Sequence, residues 1–337
     1  MAHEQSSEWI APNPSQLPDF IIGGAMKSGT TTLHSILDQH PNVFIPKKEQ
    51  HFFDFDNLLQ HSAFNFFDGE ENSWIRNSMS RSPQQLWEDY LSNYDGKESS
   101  IKGEDSTTYL ASSIAAKRIA MQPKDIKLIF LLRHPTHRAY SQYFHLLRSG
   151  RAIFSFEDTL MFTPEKLLQR SLYNEQLQYY YDLIPRERIK VVLFEDLISK
   201  TKNTVAEICT FLDLDFQKFD NNILTTHSNK TKLPSSITLQ IYYNRLFRKT
   251  ANLRHVDSLP ESPSPKEKRR IFFLRLIKKA HRMINPLQDK EKPPIKKSTQ
   301  QFLDQFFQRR LSGINNLVGK EILSTWFSDT NDTSKNS

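Results

Sequence analysis

Nine residues near the start of the chain have the makings of an anion site. Gly23-Gly24-Ala25-Met26-Lys27-Ser28-Gly29-Thr30-Thr31 follows a short apolar run, Phe20-Ile21-Ile22, and leads into a helix-like pattern from Thr30 to Gln39. Small residues such as Gly29 let backbone N–H groups turn toward a phosphate-like group, and a following helix N-terminus adds partial positive charge. Lys27 brings a point charge, while Ser28, Thr30 and Thr31 bring hydroxyl donors. The pattern is not a Walker A loop, whose lysine follows the last glycine and precedes Ser or Thr. That weakens a P-loop kinase or NTPase reading.

Two further groups carry chemistry. Arg133 ends the apolar run Ile126–Leu132, with Ser141 eight residues on. A planar guanidinium at a strand end suits a phosphate, and Ser141, about two helical turns later, could donate to the same group. Taken alone, the pair could equally be a structural ion-pair partner and an ordinary helix residue. The segment Lys47-Lys48-Glu49-Gln50-His51-Phe52-Phe53-Asp54 sets a carboxylate among lysines and aromatics. Such a carboxylate could serve as a general base. Taken alone, the segment could equally be a solvated loop.

Elements must hold these groups. Phe20–Ile22, Val43–Ile45, Ile126–Leu132 and Ile189–Phe194 read as strands, the last two buried on both faces. Helices are expected over about 30–39, 136–147, 173–183 and 205–212. Alternating strands and helices predict an α/β fold, a P-loop-like doubly wound parallel sheet flanked by helices, with a mostly helical C-terminal region. Residues 1–17 read as a flexible arm, 18–224 as the nucleotide-binding core and 225–300 as a variable basic helical or lid region. Residues 301–328 read as a C-terminal helix, its pattern running from Phe302 to Val318, and 329–337 as a disordered tail. Residues 55–82 read as an irregular insertion.

The 337 residues are 37% hydrophobic and 12% aromatic, enough to fill a core, with a net charge of +7. A basic balance suits anionic ligands without choosing among them. A single cysteine, Cys209, rules out an internal disulfide or a cysteine metal cluster. With no signal-peptide pattern and no long apolar run, the chain is expected to be cytoplasmic. No metal-ligand cluster stands out. The basic amphipathic stretch Lys266–Met283 reads first as a helix packed over the domain or a lid. A protein of nucleic acid or anionic membrane surfaces is the rival reading.

Together the three groups resemble the PAPS-dependent sulfotransferases, where PAPS is 3′-phosphoadenosine-5′-phosphosulfate. The likeness is to the branch of the heparan sulfate sulfotransferases and their soluble bacterial relatives. GAMKSGTTTL resembles the family's 5′-phosphosulfate loop, RHPTHRAYSQY its 3′-phosphate segment with Arg133 and Ser141, and KKEQHFFD the segment of the catalytic base, Glu49. YNEQLQYYYDLIPRERIKVVLFEDL resembles a later helix–strand block, so the likeness runs from about 18 to 215. It implies PAPS as donor, PAP as product, no metal, in-line transfer, Lys27 at the leaving oxygen and Glu49 taking the acceptor proton. His51 is the fallback base, expected on the opposite face from Glu49 if the segment is extended. The family's later cofactor-covering loop has its best candidate at His227–Lys232, which makes Asn229 and Lys230 candidate contacts. Asp105 stands where the glycan-modifying relatives carry a substrate-side lysine. A small-molecule or natural-product hydroxyl or amine is therefore the expected acceptor, with a glycan or lipid as the alternative. Nucleic acid is not an expected partner, and the oligomeric state is not legible.

Overall fold

The structure is a computed structural model, and it describes residues 7–61, 65–69, 72–219, 232–248 and 265–327. Its strands are β1 (Phe20–Gly24), β2 (Val43–Phe44), β3 (Phe66–Asp68), β4 (Ser73–Ile75), β5 (Ile101–Asp105), β6 (Lys127–Leu132), β7 (Ile189–Leu193), β8 (Lys232–Pro234) and β9 (Leu287–Asp289). The helices begin with α1 (Thr30–Leu37), α2 (Pro83–Leu91), α3 (Ser113–Ala120), α4 (Pro135–Arg148), α5 (Phe156–Phe162), α6 (Glu165–Leu168) and α7 (Tyr173–Leu183). They continue with α8 (Phe194–Ser199), α9 (Thr201–Leu212), α10 (Ile237–Leu246), α11 (Pro265–Ile284), α12 (Lys297–Arg310), α13 (Ile314–Val318) and α14 (Leu323–Phe327).

Five strands form a parallel sheet in the order β2-β5-β1-β6-β7. Side chains alternate across it, as a period of two requires. Leu128, Phe130 and Leu132 enter one core with α3, α4 and α7, whereas Ile129 and Leu131 enter the other with α1 and α9. Both faces are covered, which is why β6 reads as a continuous apolar run.

The strand missed by pattern reading is β5. Its sequence, Ile-Lys-Gly-Glu-Asp, looks solvated, yet it lies between β1 and β2 with Glu104 wholly buried. Three hydroxyls make that burial tolerable: Tyr90 and Tyr109 each donate to Glu104 at 2.5 Å, and Ser106 donates at 2.7 Å. Burial still raises the Glu104 carboxyl above its usual range.

Other boundaries shift for local reasons. The single helix expected over 302–318 is two, α12 and α13, separated at Gly313 with φ 91°. The expected insertion contains the antiparallel pair β3–β4. The described part of the expected loose arm is packed: Trp9 lies 3.3 Å from the Arg118 guanidinium, and Leu17 is fully buried. Apolar and aromatic residues there outweigh the prolines that suggested an extended tail. Among the described residues, no helix is long and apolar enough to cross a membrane.

Candidate active site

The carboxyl ends of β1, β5 and β6 converge, the usual place for a ligand in an open parallel sheet. After β1 the chain turns through Lys27, which has a left-handed φ of 71°, and Gly29, with φ 91°, before entering α1. A Cβ on Gly29 would come within 2.5 Å of the Phe194 ring, so the close approach as well as the φ requires glycine. The first amides of α1, at Thr30 and Thr31, have no carbonyl one turn back to bind. Ser28 is fully buried, and its hydroxyl has no hydrogen-bond partner among the described residues. The neighbouring Tyr173 phenol donates instead to the Arg133 carbonyl at 2.9 Å.

Arg133 leaves the end of β6 and donates to the Lys27 carbonyl at 3.4 Å, with its guanidinium 4.5 Å from the Phe194 ring centroid. Glu195 fixes the following turn by accepting from the His134 amide at 2.9 Å. Ser141 is buried on α4, where Lys292 donates to its hydroxyl at 3.1 Å. The Lys292 ammonium is pushed down to about 8 by burial first and then by Arg133, Lys27 and Arg148. Lys27 is likewise lowered by burial and then by Arg148, with Glu49 opposing. The donor-side residues Lys27, Ser28, Arg133 and Ser141 are thus brought together.

Neither Lys292 nor Arg148 was singled out in the sequence. Arg148 had a readable signal: it follows Ser141 by seven residues, two helical turns along one face of α4. Lys292 had only its place in a Pro/Lys-rich segment. Arg138, fully buried, braces the loop by donating to Ser171 Oγ at 2.5 Å and to the Met26 carbonyl at 3.4 Å. Asn229 and Lys230 lie outside the described residues.

Glu49 is near enough to Lys27 to act on its charge. Its carboxylate accepts from Thr107 Oγ1 at 3.0 Å and pairs with His51 Nε2 at 2.8 Å. Burial alone would raise this carboxyl; the hydrogen bond and charge of His51, with Thr107, outweigh it and hold it below the usual range. The side chain is still 38% exposed, so an acceptor can approach. His51 is therefore not on the opposite face from Glu49, as an extended segment would place it. A φ of 50° at His51 turns the chain and brings the ring back. The His51 amide donates to Ser106 at 2.9 Å, and its Nδ1 lies 3.1 Å from Thr108 Oγ1.

Behind this pair, His61 Nε2 lies 2.7 Å from Asp54 Oδ1 in a buried contact. His51, Asp54 and His61 offer ligand atoms within 4.8 Å of one another, a grouping not apparent from their spacing. Asp105 is buried and faces His34 Nδ1 at 3.3 Å.

A family model described as the sulfotransferase family matches residues 18–218, more than half of the chain. The chain belongs to the sulfotransferase family. Members of this family take the sulfuryl group from PAPS. This sulfotransferase is 28% identical over 271 residues to heparan sulfate glucosamine 3-O-sulfotransferase 5 of Mus musculus, which covers 77% of this chain and 69% of that one. To heparan sulfate glucosamine 3-O-sulfotransferase 3B1 of Homo sapiens it is 29% identical over 237 residues, or 67% and 53% of the two chains. A solved sulfotransferase from Alicyclobacillus acidocaldarius shares the fold at a TM-score of 0.57 and 23% identity, over 92% of this chain and 98% of that one. The family match includes Lys27, Glu49, Arg133 and Ser141 and stops short of the segment that carries Lys292.

Proposed function

We propose that this sulfotransferase transfers a sulfuryl group from PAPS to a hydroxyl or amine of a small molecule or natural product, with Glu49 as the general base. One observation carries the reading: the buried Lys27 is within electrostatic reach of both a group of cations, Arg148, Arg133 and Arg138, and the carboxylate of Glu49. The residues fit the donor. The buried Ser28 hydroxyl lacks a partner, and Lys27, Arg133, Arg148 and Lys292 crowd where a nucleotide with phosphate at both ends would relieve their mutual repulsion.

The donor supplies an activated sulfuryl group whose leaving oxygen gains charge as the S–O bond breaks. The chain's own residues do the rest. Lys27 places an ammonium where that charge grows, which favours the transition state over the ground state. Ser28 and the first amides of α1 hold the 5′ end, while Arg133, Ser141 and Lys292 hold the 3′ end. Glu49 takes the acceptor proton, and the depressed proton affinity of its carboxyl keeps it ready at neutral pH. His51 aligns it and steadies its charge. We assign no metal to this reaction and no role in it to nucleic acid.

The acceptor side of this reading rests on a missing lysine: Asp105, buried against His34, stands where the glycan-modifying relatives carry a substrate-side lysine. A sugar hydroxyl is the second reading, favoured by the identity to enzymes named for heparan sulfate glucosamine. A screen with radiolabelled PAPS over phenols, alcohols, amines and heparan sulfate tests both. Label transfer to heparan sulfate alone overturns the small-molecule reading. In the same assay Glu49→Gln should lower turnover by about 10²–10⁴-fold while PAP still binds. Full activity in that variant moves the base elsewhere.

A further inference from the structure

The α11 helix carries a feature that sulfuryl transfer does not use. Ile271, Leu274, His281 and the following Asn285 turn toward the domain. The His281 ring stacks on Tyr243 of α10 at 3.9 Å, and Asn285 Nδ2 donates to the Ser236 carbonyl at 2.9 Å. That face accounts for the packing. The opposite face is apolar as well: Phe272, Phe273, Leu276, Ile277, Met283 and Ile284 are 39–78% exposed. Their spacing of three and four residues forms one stripe about 140° wide, directed at solvent along most of the helix. A solvent-facing helix surface ordinarily carries charge in its middle; along 272–284 the charge lies at the margins, and Arg269 closes the stripe one turn before Phe272. Lys268, Arg275 and Lys279 flank one edge of the stripe and Arg270 the other, all exposed. The helix as a whole has eight Lys or Arg against one Glu.

We propose that α11 lies in the surface of an anionic lipid bilayer, with its apolar stripe in the acyl boundary and its cations among the headgroups. The argument is charge complementarity laid over apolar area, the combination that holds an in-plane helix at an interface. Leu239, Tyr242 and Leu246 of the adjoining α10 are also exposed and share one face of that helix. A partner protein or a second copy would match an apolar stripe, but cations at both edges call for a surface that is negative on each side. No helix among the described residues spans a membrane, so the contact is peripheral.

The chain continues from α11 through β9 to Lys292, eight residues beyond the end of the helix, so the anchored element adjoins the donor site in sequence. The proposal goes beyond sulfuryl transfer and does not depend on it, because vesicle binding needs no nucleotide.

The test is co-sedimentation of the full chain with phosphatidylcholine vesicles, with and without phosphatidylglycerol, alongside light scattering of the free protein. Binding should require phosphatidylglycerol and weaken with added salt. The apolar double variant Phe273→Asp, Ile277→Asp and the charge variant Arg275→Glu, Lys279→Glu should each reduce it by about tenfold or more. Both changes are at exposed positions, and the charge variant leaves the stripe intact, so either can be read if the other fails to fold. No binding to phosphatidylglycerol vesicles overturns the proposal, as does binding that both variants retain. A concentration-dependent dimer that the Phe273→Asp, Ile277→Asp variant abolishes also overturns it, by assigning the stripe to a second copy.

Discussion

At the scale of the residue, the site turns on how Glu49 is kept charged. Its neighbours hold the carboxyl low against the pull of burial, so its ionised form persists below the ordinary carboxylate range. A depressed folded-state value stabilises the fold above the unfolded value, and that stability is lost as pH falls through the folded one. His51→Ala removes the largest lowering contribution and leaves only the Thr107 hydrogen bonds against burial. The acid limb of kcat/KM in that variant should therefore move to higher pH, which a pH–rate profile would show. An unmoved limb would mean that His51 does not set the charge of Glu49. Glu49, the proposed base, stands in a motif that the sequence displays, but its partnership with His51 was not legible. Alternation along an extended chain separates residues 49 and 51, and only the left-handed turn at His51 reunites them.

Among the elements, the turn between β1 and α1 is the piece with least freedom. The Phe194 ring fills the space that a side chain at Gly29 would need, and the same ring supports Arg133. Gly29→Ala should therefore cost about 1–3 kcal/mol of stability from the strained φ. It should also weaken PAP binding, because the displaced ring carries Arg133 with it. Thermal melts and PAP titration of the variant check both, and unchanged PAP affinity would separate Phe194 from the donor site. Sequence reading succeeded where elements are regular. The α7 boundaries match over Tyr173–Leu183, and β6 differs by one residue, since continuous apolar runs and helical periodicity survive in the sequence. It failed at β5 because Glu104 and Asp105 are charged residues in a buried strand, Glu104 satisfied by hydroxyls from α2 and from the turn after β5 and Asp105 facing His34 of α1. A charged pair in the middle of a strand reads as solvated unless the hydroxyls that fold back onto it are already known.

On the scale of the whole molecule, the proposed donor site draws on both halves of the chain. Lys27, Arg133 and Ser141 come from the parallel core, but Lys292 comes from the segment before α12. A lysine lowered to about 8 loses its proton as pH rises past that point, and with it the attraction for a phosphate. PAP affinity should therefore fall as pH rises above about 8. In Lys292→Met the affinity should start about tenfold or more lower and lose that pH dependence. Calorimetric titrations at several pH values would decide, and an unaltered pH profile in the variant would remove Lys292 from the site.

The position of Lys292 also bears on the pace of the catalytic cycle. The Pro293 carbonyl, next in the chain, accepts from the Tyr140 hydroxyl at 2.8 Å, which ties this segment down against α4 beside Ser141. If the proposed donor contacts hold, a spent nucleotide would leave only as this strap peels away, and the strap has its own contacts to break. Unclasping, rather than bond making at sulfur, would then be the slow event of each round. Rapid-mixing experiments should show a burst of sulfated product equal to the enzyme present, followed by a slower steady rate. Tyr140→Phe, which frees the strap without touching the reacting atoms, should quicken the second phase and leave the first as it was.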